Sequence, residues 1–163
     1  MTKRASHKLL GIFIAILILL PSSGYSNTGR GTIVAVADGD TVTLLRPDKT
    51  QEKIRLYGID CPEKRQAFGT RAKQFTAMLV FGKTVTIRRV DRDRYGRTIA
   101  WVEVNGRSLN KELLKAGLAW HYKRYSNDSE LAELETEARL RRQGLWADPS
   151  PTAPWEFRRR TRR

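Results

Sequence analysis

The sequence contains very little cysteine and histidine. Its 163 residues include one cysteine, Cys61, and two histidines, His7 and His121. One cysteine cannot form an intramolecular disulfide, and so few soft ligands cannot build a cysteine zinc site or a histidine metal cluster. Acidic residues are also scarce, because 17 Asp and Glu stand against 31 Lys and Arg. The net charge of +14 favours an anionic partner, such as nucleic acid, a phospholipid surface or an acidic polymer.

The length of the chain suits one ordinary domain and is too short for two sizeable cores. The charge excess is not confined to the two ends of the sequence. Residues 1–26 carry +3 and residues 156–163 carry +4, so that +7 remains for residues 27–155. We therefore expect the folded domain itself to be basic.

The one long apolar run, Leu9–Leu20, lies near the start of the sequence. A short basic segment precedes its 12 residues, and a proline and small residues follow. This layout is typical of a secretory signal peptide, and 12 residues fall short of the about 20 that span a bilayer. We expect residues 1–26 to be a signal peptide that is cleaved after Ser26, with cleavage after Gly24 as the alternative. The mature protein would then be exported, either to the periplasm or to the medium.

Alternation of apolar and polar residues predicts five strands, because a half-buried strand has a period of two. The predicted strands are Gly31–Ala37, Thr41–Leu45, Lys53–Ile59, Lys83–Val90 and Thr98–Val104.

Apolar residues spaced three and four apart predict three helices. These are Gln66–Phe81, Ser108–Ala116 and Asn127–Gln143. Five strands with a helix between the third and fourth are compatible with an α+β fold, a small five-stranded Greek-key β-barrel (OB-fold) with three helices. We expect this domain to span residues 27–148. Residues 149–163 are Pro-rich and then Arg-rich, and we expect them to form a disordered tail.

Three polar segments interrupt these elements and carry the candidate functional residues. They are Asp38-Gly39-Asp40-Thr41, Arg55 to Glu63, and Asp93-Arg94-Tyr95-Gly96-Arg97. Alone, the first is an ordinary hairpin turn and the third a charged hairpin loop. The second is harder to explain by packing, because it has an arginine within a strand and two carboxylates three residues apart.

Together the three segments predict one site at the mouth of the barrel. Asp40 and Asp60 offer hard oxygen ligands, which suit Ca²⁺ or Mg²⁺. Arg55 and Arg97 can each grip a phosphate with two N–H groups. Glu63 can orient or deprotonate a water molecule. This combination is the one that phosphodiester hydrolysis requires.

In order and approximate spacing, the three segments resemble the active-site segments of the staphylococcal nuclease (thermonuclease) family. The resemblance covers about residues 30–148. It implies an OB-fold barrel with three helices and calcium-dependent hydrolysis of DNA and RNA with little sequence specificity. The chemistry of the family leaves a 3′-phosphate and a free 5′-hydroxyl.

The resemblance also implies roles for individual residues. Asp40 and Asp60 match the two calcium carboxylates of the family, and the backbone carbonyl of Cys61 matches the next ligand. Cys61 stands where the best-known member has a threonine, but a carbonyl ligand does not depend on the side chain. Arg55 and Arg97 match the catalytic arginines.

Further matches complete the implied site. Glu63 corresponds to the catalytic glutamate of the family. Arg94 and Tyr95 match residues that contact the terminal phosphate of the nucleotide. Tyr122 and Tyr125 fall near the positions of nucleotide-contacting tyrosines.

Two other functions remain open from the sequence. A non-catalytic OB-fold module that binds nucleic acid would not need the catalytic and metal residues that are present. A cationic membrane-surface protein would leave Arg55, Glu63 and Arg97 unexplained. For the nuclease we expect DNA and RNA substrates, no obligate protein partner and a monomer.

Overall fold

The computed structural model of the protein describes residues 27–161, so the predicted signal peptide lies outside the described residues. The strands are Thr28–Asp38 (β1), Thr41–Leu45 (β2), Gln51–Leu56 (β3), Ile59–Asp60 (β4), Thr84–Arg92 (β5), Thr98–Val104 (β6), Arg107–Ser108 (β7) and Trp120–His121 (β8). The helices are Gly69–Val80 (α1), Leu109–Lys115 (α2), Ser129–Leu140 (α3) and Pro154–Thr161 (α4), with a 3-10 turn at Gly144–Ala147. Among these helices none has the length and apolar character needed to cross a bilayer.

Five of the strands close into a barrel. β1 pairs antiparallel with β2 and with β5, while β2 also pairs with β3 and β5 with β6. A parallel pairing of β3 with β6, which sets Ile54 opposite Thr98 and Leu56 opposite Ala100, closes the sheet. The closed five-stranded barrel with its helices confirms the predicted α+β OB-fold.

The barrel core follows the period-two pattern of the strands. Val42 and Leu44 in β2, and Ile54 and Leu56 in β3, are all buried. The residues between them, which include Arg55, are less buried. Because neighbouring side chains point to opposite faces, burial of Ile54 and Leu56 turns Arg55 to the other side of the strand.

The predicted strand Lys53–Ile59 is interrupted by a turn. Gly58 has a φ of +72°, and a Cβ added there would lie 2.6 Å from Leu131 Cδ1, so this position requires glycine. The chain leaves the barrel at this turn and continues as β4, which pairs antiparallel with β8. The turn thereby gives Asp60 a place outside the barrel sheet.

The first helix starts later than its apolar spacing predicts. Successive turns occupy the preceding residues, since the amide of Gln66 donates to the carbonyl of Glu63 and the amide of Gly69 to the carbonyl of Gln66. The third helix is also shorter than predicted. Its N-cap is Asp128, whose side chain accepts a hydrogen bond from the Leu131 amide.

The prediction that residues 149–163 are disordered is wrong for the described part of that segment, because it contains α4. Pro154 opens the helix, where its missing N–H costs nothing, and both Ala153 and Pro154 are buried. The acidic Glu156 lies in the first turn and three arginines lie in the last, which matches the helix dipole. The arginine-rich composition predicts disorder, but the segment forms a short helix that packs against the domain.

Asn110 ties α2 to the barrel and to the chain leading to the site. Its side-chain oxygen accepts a hydrogen bond from the Val102 amide, and its side-chain nitrogen donates to the Tyr57 carbonyl. Asn110 is fully buried. Both backbone groups would lose their partner without this side chain.

We predict that Asn110→Ala lowers the free energy of unfolding by roughly 2–5 kcal/mol, since each buried group left without a partner costs about 1–3 kcal/mol. The measurement is urea unfolding followed by tryptophan fluorescence. Asn127→Ala, at an exposed position, is the matched control and should change stability by less than about 0.5 kcal/mol. Equal effects of the two substitutions would contradict the role of Asn110.

Candidate active site

Two buried carboxylates meet at one end of the barrel. Asp40 lies in the turn between β1 and β2, and Asp60 ends β4. The Leu56 amide donates to the Asp40 carbonyl over 2.9 Å, so β3 holds the turn near the segment that leads to Asp60. The fold therefore brings together two side chains that belong to separate segments of the sequence.

Arg55 lies between these carboxylates. Its Nη1 is 2.5 Å from Asp40 Oδ2, and its Nη2 is 2.6 Å from Asp60 Oδ1. Burial opposes the charge of the guanidinium, but the two carboxylates outweigh it and raise the pKa of Arg55 above its usual value. Arg55 is therefore charged at any physiological pH, and its planar fork engages both carboxylates at once.

Backbone and hydroxyl donors also hold the Asp40 carboxylate. The Cys61 amide donates to Asp40 Oδ2 over 2.6 Å, and the Thr41 hydroxyl donates to Oδ1 over 3.2 Å. Burial raises the pKa of the Cys61 thiol well above its ordinary value, so the sulfur is not a thiolate. In this structure Cys61 contributes to the site through its backbone amide, and the role of its carbonyl as a metal ligand stays a prediction.

Negative charge is crowded around Asp40. Burial and the charge of Asp40 raise the pKa of Asp38 to about 7. Burial also raises the pKa of Asp60, although Arg55 and Arg158 oppose that shift. Burial is the main cause of both raised pKa values and the Asp40 charge adds to it, so a cation bound nearby would favour the ionised carboxylates.

The donor set fits a hard divalent cation. Within residues 27–161, no three side chains of Asp, Glu, His or Cys converge as a ready metal cluster. Asp40 and Asp60 nevertheless converge on one guanidinium, so they can converge on one cation. Carboxylate and carbonyl oxygens completed by water are the ligands of Ca²⁺ and Mg²⁺. The residues predicted as metal ligands thus lie together and have suitable chemistry.

Arg158, which the sequence did not predict as a site residue, connects Glu63 to this cluster. Arg158 of α4 donates from Nη1 to Glu63 Oε1 over 2.6 Å and from Nη2 to Asp60 Oδ2 over 2.8 Å. Burial opposes the charge of Arg158, but its bonds to Asp60 and Glu63 raise its pKa. The site therefore contains a guanidinium from outside the three predicted segments.

A signal for Arg158 exists in the sequence, although it is weak. Pro154 can open a helix, and Trp155 and Phe157 are the apolar residues of a segment that otherwise reads as a solvated arginine run. An apolar face beside a proline indicates a docked helix. Composition alone indicates disorder, which is why the contact of Arg158 was not predicted.

Arg97 is held apart from the carboxylates by its own loop. Its Nε donates to Asp93 Oδ2 over 2.7 Å. Among the described residues, Arg97 forms no ion pair with Asp40, Asp60 or Glu63. Arg97 nevertheless lies near β3, because it directly precedes Thr98, the β6 residue that is paired with Ile54 of β3.

Arg94 and Tyr95 occupy the exposed end of the same loop. The guanidinium of Arg94 donates to the Tyr95 hydroxyl over 2.9 Å and lies 5.0 Å from the centre of its ring. The guanidinium of Arg97 lies 5.7 Å from that ring. The three predicted residues form one basic and aromatic surface, accessible to an anionic ligand.

Tyr122 and Tyr125 follow β8, on the strand pair that carries Asp60. The Tyr122 amide donates to the Gly58 carbonyl over 2.8 Å, and the rings of Tyr122 and Tyr125 meet edge to face at 4.8 Å. Trp155 of α4 stacks on Tyr122 with ring centres 5.2 Å apart and an angle of 3°. Tyr125 is exposed, whereas Tyr122 is half-buried beneath Trp155.

Comparison with known proteins gives consistent results. A family model described as staphylococcal nuclease homologue matches residues 53–148. Protein ParB of Escherichia coli is 41% identical over 96% of this chain and 94% of its own length. An endonuclease of Haemophilus influenzae is 39% identical over 93% of this chain and 84% of its own. The micrococcal nuclease of Shigella flexneri is 35% identical over 96% of this chain and 95% of its own.

We predict that Arg55→Met lowers the free energy of unfolding by about 3–5 kcal/mol at neutral pH in the presence of a chelator, because it leaves Asp40 buried without its counter-charge and Asp60 with Arg158 alone. Urea unfolding measures this loss. Added Ca²⁺ should restore part of it, since a cation bound to the folded state alone stabilises that state.

Arg97→Met is the matched control for this experiment. It removes the same charge from a partly exposed pair with Asp93, which is worth at most about 1 kcal/mol. If Arg55→Met were no more damaging than Arg97→Met, the central role of Arg55 would be refuted.

Proposed function

Because this chain belongs to the staphylococcal nuclease family, we propose that it is an exported, calcium-dependent nuclease that cleaves DNA and RNA with little sequence preference. The family match and the relatives named endonuclease and micrococcal nuclease make it a nuclease hydrolase with nucleic acid as its substrate. The choice of cation, the range of substrates, the cleavage products and export are the parts that we propose.

One observation carries the proposal most strongly. Two buried carboxylates converge on Arg55, whose side chain is 13% exposed. A third carboxylate, Glu63, is bound by Arg158, which also binds Asp60. A purely structural ion pair would need neither this third carboxylate nor the partial exposure of the Glu63 side chain. Hard ligands, arginine and a spare carboxylate support hydrolysis of a phosphodiester.

The residues of the chain divide the work of the reaction. Asp40 and Asp60, with the Cys61 carbonyl, would hold the calcium ion, which when bound neutralises charge on the scissile phosphate. Arg55 has five N–H donors, and those not engaged by the carboxylates can bind a phosphate oxygen. Glu63 orients a water molecule at its carboxylate and takes a proton from it.

Arg97 stabilises the charge that develops on the phosphate oxygens in the transition state. Attack by the water in line with the 5′-oxygen forms the new bond to phosphorus and breaks the bond between phosphorus and that oxygen, which takes up a proton from solvent water. The products are a 3′-phosphate and a 5′-hydroxyl. A monomer suffices for this chemistry, because every residue invoked belongs to one chain.

The surface around the site supports binding of a nucleic acid strand. Arg94 and Tyr95 can contact a terminal phosphate, and the exposed Tyr125 can stack on a base. Such contacts read the backbone and the flat faces of bases and not their edges, so they give little sequence specificity. Residues 1–26 hold +3 of the net charge of +14, so the mature chain would carry +11, and this excess strengthens the binding at low salt.

We predict that Glu63→Gln lowers kcat by about 10²–10⁴-fold on plasmid DNA and on RNA, because an amide cannot take the proton from water. The nucleotide affinity should stay close to that of the parent. The measurement is the initial rate in Ca²⁺, in Mg²⁺ and with a chelator, together with mass spectrometry of the product ends.

Glu133→Gln, an exposed substitution on α3, should keep the parent rate and serves as the control. Near-normal turnover of Glu63→Gln would refute the mechanism. Binding of nucleic acid without any cleavage would restore the OB-fold binding module. Ends other than 3′-phosphate and 5′-hydroxyl would refute the proposed chemistry alone.

Export gives a separate prediction. The Asn27 carbonyl accepts a hydrogen bond from the Arg89 amide, so the residue that follows the predicted cleavage point is bound to β5. We expect the protein recovered from periplasm or medium to start at Asn27, or at Tyr25 if cleavage follows Gly24. Mass spectrometry of the intact protein decides between these, and a mature protein that keeps residues 1–26 would refute the signal peptide.

A further inference from the structure

The carboxylate of Glu63 depends on one side chain for its placement. Its Oε1 accepts the bond from Arg158, and no other described side chain donates to it. Glu63 lies in the turns between β4 and α1, and its side chain is 37% exposed. Without a partner, a partly exposed carboxylate is less restricted in its rotamers, so the bond from Arg158 limits where this one lies.

Arg158 joins Glu63 to the carboxylate that the site requires for its cation. Its Nη2 is 2.8 Å from Asp60 Oδ2, while Nη1 serves both Asp60 Oδ1, at 3.3 Å, and Glu63 Oε1. One rigid guanidinium plane therefore fixes the orientation of Glu63 relative to Asp60. Only one oxygen of Glu63 is used, so Oε2 remains open to a water molecule.

A second contact couples the Glu63 turn to the segment before α4. The side-chain oxygen of Gln66 accepts a hydrogen bond from the Glu63 amide, and its side-chain nitrogen donates to the Thr152 carbonyl. Gln66 thus holds the backbone of Glu63 while Arg158 holds its carboxylate. Both contacts involve the C-terminal segment, through the Thr152 carbonyl and the Arg158 side chain.

The helix that carries Arg158 is anchored by aromatic side chains. Trp155 stacks on Tyr122 and meets Trp120 edge to face at 5.5 Å. Trp120 is paired with Asp60 in the β4–β8 ladder. A helix of eight residues is not stable alone, so these contacts and the buried Pro154 keep Arg158 in place.

We propose that Arg158 is a positioning residue of the active site, which fixes the Glu63 carboxylate beside Asp60 and is delivered there by α4. This inference rests on the nuclease function proposed above. It assigns the arginine-rich segment a role in turnover, beyond general attraction to nucleic acid.

The test uses the mature chain, residues 27–163, and a short oligonucleotide at saturating concentration with Ca²⁺. Arg158→Ala should lower kcat by about 10–100-fold, the usual cost of losing a group that orients a reacting one, and change KM by less than about threefold. Arg158→Lys, which keeps the charge but loses the fork, should recover part of kcat and guards against a variant that fails to fold.

Arg159→Ala is the matched control, since it removes the same charge from an exposed position on the same helix. It should keep the parent kcat. Urea unfolding of all variants in chelator checks that the domain remains folded, independently of activity.

A double-mutant cycle with Glu63→Gln separates positioning from a general structural effect. If Arg158 acts through Glu63, Arg158→Ala should have less than about a threefold further effect once Glu63 is already Gln. Independent, multiplicative losses would overturn the proposal. A kcat of Arg158→Ala equal to the parent would also overturn it, and a raised kcat would instead identify α4 as an inhibitory cover.

The parent enzyme distinguishes this inference from the proposed function. Cleavage by the parent with normal rates for Arg158→Ala refutes the positioning role and leaves the nuclease proposal intact. A folded parent that does not cleave in Ca²⁺ refutes both.

Discussion

The guanidinium of Arg55 is the group on which the rest of the site depends. Asp40 and Asp60 are buried, and carboxylates in such a place stay ionised only beside a positive charge. Arg55 supplies that charge from the middle of β3, a strand fixed by β2 on one side and by β6 on the other. Its position is therefore set by the closure of the barrel, and the two carboxylates are gathered around a point that cannot easily move.

The site combines a rigid frame with segments attached to it. The barrel supplies Arg55 and the turn that bears Asp40, while Asp60, Glu63 and Arg158 come from segments that leave the sheet. Gly58 makes this possible, because its left-handed turn redirects the chain from β3 to β4. The strands of the barrel thus place Arg55 directly, whereas the Asp60 and Glu63 carboxylates need the additional bonds from Arg158 to be held in place.

The sequence allowed the barrel to be predicted because its strands have a local signal, the alternation around Val42, Leu44, Ile54 and Leu56. Motif spacing likewise indicated that Asp40, Arg55 and Asp60 belong together. The contact of Arg158 could not be predicted in the same way, because it joins residues 98 positions apart and its flanking arginines resemble a solvated tail. Two-residue strands such as β4 and β8 also have no periodic pattern and exist only through pairing with each other.

The 98-residue separation between Asp60 and Arg158 affects the order in which the site is assembled. A polypeptide is made from its N terminus, so every barrel strand is synthesised before Arg158 is added. Contacts between distant residues also form late in folding, because closing a long loop costs entropy before the new contacts can stabilise the chain. The barrel can thus be complete in a nascent chain while Glu63 still lacks its partner, and the finished arrangement around Glu63 is a property of the full-length polypeptide.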